Sequence, residues 1–289
     1  MKNFFLIPNP TKDKNLSVTS EVSSFLFEKG AKLYAEKQYA EKLQYVTACQ
    51  NGEIPDCIEA LIVLGGDGSV IHAAPIALQR ELPIVGINLG YLGYLTAIEP
   101  NDLGKLNLLL EDEPETCSHI VLNVRIFKQN GKIIEQLAIN DVVVGKNNEF
   151  SLADISLTDV TTEDHFSLNY HADGLIACTP LGSTAYSLSA GGPIIDSAVD
   201  AFCVTPICPH SFFSRSILFT SKTVLRLTNE SRKNLPHAVN IDGRNMHTLL
   251  PGEFVEISVS DKRLGFLCAG SRGVLDALRR KMLISDVKQ

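Results

Sequence analysis

The chain has 289 residues, of which 45% are hydrophobic and 20% charged, as is typical of a globular protein large enough for two domains. The formal net charge of −7 argues against the broad basic surface of a nucleic-acid-binding protein. The sequence contains no run that approaches the ~18 apolar residues of a transmembrane helix, and its first apolar run is too short for a signal peptide. We therefore expect a cytoplasmic protein with neither a membrane nor a nucleic-acid partner. The seven cysteines are odd in number and form no CxxC pair, which predicts reduced thiols used as small core residues.

Strand and helix patterns alternate along residues 1–113. A helix is predicted from Ser17 to Lys29, and Gly30 follows it as a plausible C-cap. Strands are predicted at Phe4–Ile7, Lys32–Glu36, Leu61–Leu64 and Ile84–Asn88. Strands separated by helices indicate a parallel sheet with helices on its faces, so residues 1–113 are predicted to form an α/β domain.

The glycine-rich segment Gly65-Gly66-Asp67-Gly68-Ser69 follows the third predicted strand and precedes helical spacing over Val70–Leu78. A strand, a glycine loop and a helix N-terminus form the geometry that binds phosphate, because backbone N–H groups can approach an anion there. Asp67 would repel a phosphate unless it takes a proton from a hydroxyl or helps to hold a metal. This combination favours phosphoryl transfer to an alcohol. The alternative is a simple turn, since Asp-Gly pairs are common in turns.

A second glycine segment, Asn88–Thr96, follows the fourth predicted strand. Its glycines allow close approach to a ligand, and its two tyrosines offer rings that stack on a base. The alternative is a loop whose tyrosines cover the core. Since ligands bind outside the carboxyl ends of parallel strands, we expect Gly65–Ser69 and Asn88–Leu95 to share one crevice.

The pattern changes after the acidic, proline-containing segment at 111–115, which is predicted to link two domains. Residues 114–263 are predicted to form a β-rich domain, and residues 264–289 a C-terminal segment with a basic helix at Val274–Met282. The predicted strands are His119–Lys128, Ile133–Val144, Ala153–Leu157, Leu175–Thr179, Ser216–Phe219, Val224–Leu227, Ala238–Ile241 and Phe254–Val259.

Polar residues interrupt this β-rich part at three places. Asp173–Ser189 runs from a buried strand through Thr-Pro and a glycine into a hydroxyl-rich helix start, which suits a sugar or phosphate; Ser183 or Thr184 as an N-cap is the alternative. Asn140-Asp141 suits a ribose, unless the pair lies on an edge strand and is solvated. Asp242-Gly243-Arg244 is typical of a hairpin turn, from which Arg244 could reach a phosphate.

These segments, in this order and spacing, resemble the NAD kinase family over nearly the whole chain. Gly65–Ser69 resembles the family's glycine–aspartate motif and Asn88–Thr96 its Asn-Leu-Gly segment. Asn140-Asp141 resembles its Asn-Glu pair, and Asp173–Ser189 its long signature ending in Ser-Thr-Ala-Tyr and hydroxyl residues. The first motif also occurs in phosphofructokinases and in diacylglycerol and sphingosine kinases, whereas the last is specific.

The resemblance implies a Rossmann-like N-terminal domain, a β-sandwich C-terminal domain that binds the dinucleotide, and a last segment, 264–289, that returns to the first domain. It implies NAD bound between the two domains, a homotetramer, and transfer of the γ-phosphoryl group of ATP, with a divalent metal such as Mg²⁺, to the adenosine ribose 2′-hydroxyl. Asp67 would accept the proton of that hydroxyl. Gly65, Gly66, Gly68 and Ser69 would form the phosphate loop. The residues implied to contact NAD are Asp67, Gly68, His72, Tyr94, Asn140, Asp141, His171, Asp173, Thr184, Ala185, Tyr186, Ser187, Leu188, Ser189 and Arg244.

The sequence departs from the family pattern at several positions. Leu181 removes a hydroxyl from the Thr-Pro-Thr-Gly loop, and His171 stands where relatives that favour oxidised NAD often carry Arg. Two alternatives stay open: another kinase with the same loop, acting on a lipid or sugar, and a dinucleotide sensor without turnover. The presence of Asp67 argues against the sensor.

Overall fold

The computed structural model describes residues 2–50, 52–90, 93–147, 151–163, 166–210 and 212–268. The chain divides into two compact units. Unit 1 comprises Met1–Ser118 and the segment that begins at Leu264, and unit 2 comprises His119–Arg263.

Unit 1 is built on a parallel sheet of five strands in the order β3-β2-β1-β4-β5, joined by a short stretch of a later strand beside β5. Its strands are β1 (Asn3–Pro8), β2 (Lys32–Glu36), β3 (Val46–Cys49), β4 (Ala60–Gly65) and β5 (Ile84–Asn88). Its helices are α1 (Ser17–Glu28), α2 (Lys37–Ala40) and α3 (Asp67–Arg80), with 3₁₀ helices at Lys14–Leu16 and Pro100–Leu110. The four strands predicted for this part and the predicted parallel sheet are confirmed.

The sequence explains the centre of this sheet. All six residues of β4 are buried because β4 lies between β1 and β5 and is covered on both faces. Helix α1 ends where Gly30 adopts a φ of +83° and donates its N–H to Phe27 O at 2.9 Å, which confirms the predicted glycine terminator. The edge strand β3 was not predicted, since its two central residues are exposed and its two end residues only half-buried, so it carries little hydrophobic signal.

Unit 2 consists of two sheets packed on one core. One sheet has the order β10-β9-β14-β17, with β6 beside β17 and β7 beside β6; the other has the order β13-β12-β11-β8-β15-β16. The bounds are β6 (Thr116–Phe127), β7 (Ile133–Ala138), β8 (Asp141–Lys146), β9 (Ala153–Asp159), β10 (Ser167–Ala172), β11 (Gly174–Cys178), β12 (Ala201–Ile207), β13 (Ile217–Thr220), β14 (Leu225–Asn229), β15 (His237–Ile241), β16 (Arg244–Leu249) and β17 (Phe254–Leu267). A 3₁₀ helix (Leu181–Thr184) and the short helix α4 (Tyr186–Ser189) follow β11.

The core of unit 2 takes side chains from both sheets. Leu122 and Val255 come from the first sheet, and Val144, Ala177 and Val239 from the second. This arrangement confirms the predicted β-sandwich and, with unit 1, the α/β plus all-β fold class.

Two sequence predictions for unit 2 need correction. The single strand predicted over Ile133–Val144 is two strands, because the chain leaves the first sheet after Ala138 and enters the second at Asp141. Strands β10, β12 and β16 were not predicted. The predicted basic helix at Val274–Met282 lies outside the described residues.

The cysteine prediction is also corrected. Cys117 and Cys268 form a disulfide across 151 residues of sequence. The Cys268 N–H donates to Glu115 O at 2.9 Å, so the two backbone segments already run side by side. Local spacing could not indicate this pair. Cys49, Cys57, Cys178, Cys203 and Cys208 are free thiols, as predicted, but only Cys178 and Cys203 are buried core residues, whereas Cys57 and Cys208 are exposed.

Within the described part of the chain, no helix combines the length and apolarity that crossing a bilayer requires.

Candidate functional site

The glycine loop of unit 1 forms the predicted strand–loop–helix arrangement. Strand β4 ends at Gly65, Gly66 is the extended N-cap, and α3 begins at Asp67. The Ser69 N–H donates to Gly66 O at 2.8 Å. A Cβ on Gly65 would lie 2.2 Å from Ser69 Oγ, so the first turn of α3 packs directly on this glycine. The loop therefore holds a helix N-terminus against the end of a buried strand, where N–H groups favour an anion.

The Asp67 carboxylate is held in one orientation by the second glycine loop. Asp67 Oδ2 accepts the N–H of Tyr94 and Oδ1 accepts the N–H of Leu95, each at 2.9 Å. A Cβ on Gly93 would lie 2.2 Å from Asp67 Oδ1, which leaves no room for a side chain there. The carboxylate is half-buried, and each oxygen keeps a further lone pair for a substrate hydroxyl.

The Asn88 loop lies beside the glycine loop, as the sequence predicted. The Leu89 N–H donates to Gly65 O at 2.6 Å, and Gly65 and Asn88 are register partners at the ends of β4 and β5. Asn88 is buried and donates from Nδ2 to Glu99 Oε1 at 3.1 Å, so it fixes the loop internally. The Tyr94 side chain is half-buried. Tyr91 and Leu92 lie outside the described residues.

Sequence reasoning missed Lys12. Its ammonium nitrogen lies 2.6 Å from where a Cβ on Gly66 would be and 3.2 Å from the corresponding position at Gly90, so it reaches both glycine loops. The turn that carries it is fixed by Asn9, whose carbonyl accepts the Lys12 N–H at 3.0 Å and whose Nδ2 donates to Ser69 Oγ at 2.9 Å. No motif signalled this cation, because the Pro-Asn-Pro after β1 was interpreted only as the end of a strand.

A cavity of about 550 Å³ lies beside the glycine loop, within unit 1. The carboxyl end of β1, one face of α3 and residues near α2 line it. His72, which the resemblance implies at the dinucleotide, stands in its wall with an exposed side chain.

In unit 2, Asp242 holds the turn that carries Asn140 and Asp141. Its carboxylate accepts the backbone N–H groups of Ile139, Asn140 and Asp141 at 2.8, 2.7 and 3.1 Å. Asp242 and Gly243, with φ values of +49° and +69°, form the predicted hairpin turn between β15 and β16. Sequence reasoning found this turn but missed that its aspartate positions a predicted site residue.

The electrostatics of this turn are unusual because the buried carboxyl of Asp141 lies near the half-buried carboxyl of Asp242. Asp141 is 6% exposed, and burial, with a further contribution from Asp242, raises the pKa of its carboxyl to about 6. Burial also raises the pKa of Asp242, although three N–H donors and Arg244 oppose the rise. Strand β8 lies between β11 and β15, so the edge-strand alternative for Asn140-Asp141 is wrong. Within the described chain, Asn140 Oδ1 is buried without a hydrogen-bond partner, as expected of a group that awaits a ligand.

The Thr179–Gly182 loop packs on the same turn. Thr179 donates its N–H to Asn140 O at 2.9 Å and its hydroxyl to Ile139 O at 2.6 Å. A Cβ on Gly182 would lie 2.0 Å from Asn140 O, so only glycine fits. Two motifs about 40 residues apart in sequence are thus brought together.

The hydroxyl-rich segment divides into buried and accessible residues. Ser183 Oγ donates to Pro180 O at 2.6 Å, and Ser187 Oγ lies 3.2 Å from Thr205 Oγ1, so both hydroxyls have partners within the fold. The N-caps of the two short helices are Pro180 and Ala185, without side-chain capping bonds, so the N-cap alternative for Ser183 and Thr184 is wrong. The half-buried or exposed members, able to reach a ligand, are Thr184, Ala185, Tyr186, Leu188 and Ser189.

The remaining predicted residues of unit 2 lie in ion pairs or at the surface. His171 Nδ1 lies 2.7 Å from Asp154 Oδ1, and Asp173 Oδ1 lies 2.8 Å from Lys146 Nζ. Arg244 is exposed beside the Asp242 turn. Asp154 and Lys146 carried no sequence signal. Strand pairing places Asp154 opposite His171, and the Lys146 N–H donates to Asp173 O at 2.9 Å, so only the folded sheets bring each to its partner.

Comparison with protein-family models identifies both parts of the chain. Residues 4–113 match the ATP-NAD kinase N-terminal domain, and residues 139–268 match the ATP-NAD kinase C-terminal domain. An NAD kinase of Lachnospira eligens is 31% identical over 98% of this chain and 100% of its own length. An NAD kinase of Caldanaerobacter subterraneus subsp. tengcongensis is 33% identical over 98% and 99%.

Two solved structures share the fold. Yeast NADH kinase complexed with NADH superimposes with a TM-score of 0.79 at 21% identity, covering 92% of this chain and 83% of that one. An NAD kinase from Archaeoglobus fulgidus in complex with ATP gives a TM-score of 0.72 at 21% identity, covering 96% and 98%.

Proposed function

The chain belongs to the NAD kinase family, and we propose that it transfers the γ-phosphoryl group of ATP to the adenosine ribose 2′-hydroxyl of NAD, giving NADP and ADP. The observation that carries the mechanism is the Asp67 carboxylate, fixed by the Tyr94 and Leu95 N–H groups at the mouth of a phosphate-binding loop. Phosphoryl transfer depends on positioning and charge neutralisation more than on covalent chemistry, and this loop supplies both.

In the proposed step, Asp67 accepts the proton of the 2′-hydroxyl as its oxygen bonds to the γ-phosphorus. The bond from that phosphorus to the bridging oxygen breaks, and ADP leaves with the bonding electron pair. The two N–H donors orient the carboxylate before substrate arrives, so no reorganisation is required during the step. A positioned general base of this kind contributes about 10²–10⁴-fold in rate.

The NAD-contacting residues remain a proposal supported by the resemblance and by the geometry within each unit. Asn140 offers a buried, unpaired amide oxygen and Asp141 a carboxyl that accepts from vicinal hydroxyls. We assign the residues 114–263 as the dinucleotide-binding domain and the residues 1–113, together with 264–289, as the domain of the glycine loop. The other proposed contacts are Asp67, Gly68, His72, Tyr94, His171, Asp173, Thr184, Ala185, Tyr186, Leu188, Ser189 and Arg244. Ser187 is not among them, because it is buried and its hydroxyl has a partner within the fold.

The residues of this loop would hold a divalent metal only together with the phosphate groups of the phosphoryl donor. Among the described residues, no cluster of three or more His, Cys, Asp or Glu side chains is arranged to hold a metal ion. Mg²⁺ typically takes one or two carboxylates together with substrate phosphates, and Asp67 is a carboxylate placed where those phosphates would lie. When bound there, Mg²⁺ would neutralise phosphate charge.

We propose a cytoplasmic homotetramer, as the resemblance implies. Apolar side chains exposed on the edge strand β13 and in the segment before it support an association surface in unit 2: Phe212, Phe213 and Leu218 are each at least 41% exposed. Light scattering coupled to gel filtration measures the assembly directly.

The decisive experiment is NADP formation by the purified protein with NAD, ATP and Mg²⁺, beside the variant Asp67→Asn. We expect the variant to lose at least about 100-fold in turnover, while NAD affinity measured by calorimetry stays within about threefold. The matched control is Asp102→Asn, a partly exposed aspartate of unit 1. Wild-type turnover by Asp67→Asn would remove Asp67 from the role of proton acceptor.

A substrate panel separates the remaining alternatives. Turnover with a lipid or sugar alcohol but not with NAD would identify another kinase of this superfold. Tight NAD binding without turnover on ATP or polyphosphate would identify a sensor.

A further inference from the structure

The side-chain hydroxyl of Thr96, the last residue of the second glycine segment, is buried and unpaired. Thr96 is 2% exposed, and within the described part of the chain its Oγ1 has no hydrogen-bond partner. A buried polar group without a partner destabilises a fold, so nearly all such groups in native proteins are paired. Exceptions persist where activity requires them. The Thr96 hydroxyl is therefore expected to have a role other than stabilising the fold.

The rest of the Thr96 side chain is held by a glycine of strand β5. A Cβ on Gly86 would lie 2.9 Å from Thr96 Cα and 3.0 Å from Thr96 Cγ2, so the methyl group packs against this strand. Gly86 O also accepts the N–H groups of Ala97 and Ile98, at 3.0 and 3.2 Å. The strand therefore fixes both the methyl group of Thr96 and the backbone that follows it.

The hydroxyl group of Thr96 lies beside the Asp67 carboxylate. A Cβ on Gly93 would be 2.5 Å from Thr96 Oγ1 and 2.2 Å from Asp67 Oδ1, so both oxygens lie against the same buried glycine. Leu95, the residue before Thr96, donates its N–H to Asp67 Oδ1 at 2.9 Å. Thr96 Oγ1 is thus next to the carboxylate oxygen that the preceding residue already contacts.

The two oxygens of Asp67 consequently have different surroundings. Each accepts one backbone N–H, and a carboxylate oxygen has lone pairs for about two hydrogen bonds. A substrate hydroxyl carries one proton and can donate it to only one of them. Because the Thr96 hydroxyl is beside Oδ1 as a further donor, Oδ2 is left for the substrate.

We propose that Thr96 is a positioning residue, whose hydroxyl donates to Asp67 Oδ1 in the substrate complex so that Oδ2 accepts the proton of the 2′-hydroxyl. The inference rests on the proposed function. In the step, the O–H bond of the 2′-hydroxyl breaks, its proton goes to Oδ2, and its electron pair forms the bond to the γ-phosphorus as ADP leaves. Oδ1 keeps two donors throughout, the Leu95 N–H and the Thr96 O–H, and these prevent rotation of the carboxylate.

Thr96→Val tests this role, because it removes the hydroxyl and keeps the shape of the side chain. We expect kcat for NADP formation to fall about tenfold or more, since a hydrogen bond to a charged group is lost and the proton acceptor is less well oriented. The KM for NAD should stay within about threefold, because the proposed bond is to Asp67 and not to the dinucleotide. The urea midpoint should be no lower than that of the wild type, because an apolar group replaces an unpaired buried hydroxyl.

Thr96→Ser makes the opposite change, because it keeps the hydroxyl and removes the methyl group that packs against Gly86. We expect its kcat to stay within about threefold of the wild type, while its urea midpoint falls because a buried methyl group is lost. If Thr96 served only the fold, turnover would follow stability in both variants. The pair therefore separates a positioning role of the hydroxyl from a structural role of the side chain.

The matched control is Thr223→Val, at a threonine of unit 2 that is 9% exposed and whose Oγ1 lies 3.3 Å from Thr220 Oγ1. It should keep the wild-type kcat and lose stability, because its hydroxyl has a partner within the fold.

Three results would overturn the role of Thr96 while the proposed function stands. They are wild-type kcat in Thr96→Val, an effect of Thr96→Val on the KM for NAD alone, and turnover that falls with the urea midpoint in both Thr96 variants. If the wild type forms no NADP from NAD and ATP, the proposed function fails, and the role of Thr96 in its step fails with it.

Discussion

The glycine loop of unit 1 and the Asp242 turn of unit 2 share one kind of hydrogen bonding, but it has a different role in each. In each, an aspartate carboxylate accepts backbone N–H groups from a segment distant in sequence. Both aspartates are half-buried, but Asp67 takes two such donors at the end of a parallel strand, whereas Asp242 takes three donors beside the buried Asp141. The first carboxylate is oriented yet accessible to substrate, while the second is committed to holding a turn. The difference shows that the same bonding leaves a carboxylate available to a substrate or commits it to a structural role, depending on how many of its lone pairs the N–H donors use.

The largest effect on this comparison is expected from a substitution that moves the Asp67 carboxylate while the aspartate itself is kept. In Gly93→Ala the new Cβ would lie 2.2 Å from Asp67 Oδ1 and 2.5 Å from Thr96 Oγ1, so the carboxylate or the loop has to move. We expect turnover to fall by about 100-fold or more, because a small misplacement of a reacting group has that cost. NAD affinity should change little. Steady-state kinetics and calorimetry measure the two effects.

The control for that substitution is Gly104→Ala, since a Cβ there meets nothing within 4 Å and Gly104 belongs to the same unit. Equal turnover in Gly93→Ala and Gly104→Ala would show that the orientation of Asp67 does not limit the reaction.

The sequence predicts the glycine loop better than it predicts the turn, for a physical reason. The buried run before Gly65 and the helical spacing after it are local signals, so strand, loop and helix could be placed, and β5 was predicted with its observed bounds. The Asp242 bonds join residues 101–103 positions apart and exist only because β8 and β15 pair in one register. Hydrophobic periodicity reports burial and not the identity of a partner.

Lys12 was not predicted for the same reason: hydrophobic periodicity does not report which residues meet in the fold. It lies far from the glycine loops in sequence, and a lysine after a Pro-Asn-Pro turn carries no periodic signal. Only the parallel pairing of β1 with β4 places the Asn9–Lys12 turn beside Gly66. The break between β7 and β8 was missed for a similar reason. Both strands contain apolar runs, and they are separated only because the chain passes from one sheet to the other.

A weaker test removes the negative charge from the turn. In Asp242→Asn an amide group replaces one of the oxygens that together accept three N–H groups, so at least one donor loses its partner. A buried unsatisfied donor costs about 1–3 kcal/mol, and the Asn140-Asp141 turn is expected to loosen. NAD affinity should fall about tenfold while turnover at saturating NAD stays within about threefold.

For this test Asp261→Asn is the control, because that aspartate is exposed on β17. Loss of turnover at saturating NAD, with affinity intact, would contradict the division between a reactive and a structural carboxylate.

The smallest expected effect concerns the pH dependence of unfolding, to which the buried Asp141 beside the Asp242 turn contributes. Burial and the neighbouring Asp242 raise the pKa of Asp141 to about 6, above its ordinary value of 3.8. Between these values the folded protein holds a proton that the unfolded chain has released, so this group makes the free energy of unfolding fall as pH rises. Its contribution is at most about 1.4 kcal/mol per pH unit. We therefore expect Asp141→Asn to lack this component, relative to the wild type and Asp261→Asn, in urea unfolding between about pH 4 and about pH 6. An identical slope in Asp141→Asn and the wild type would mean that the Asp141 carboxyl titrates in the folded protein as it does in the unfolded chain.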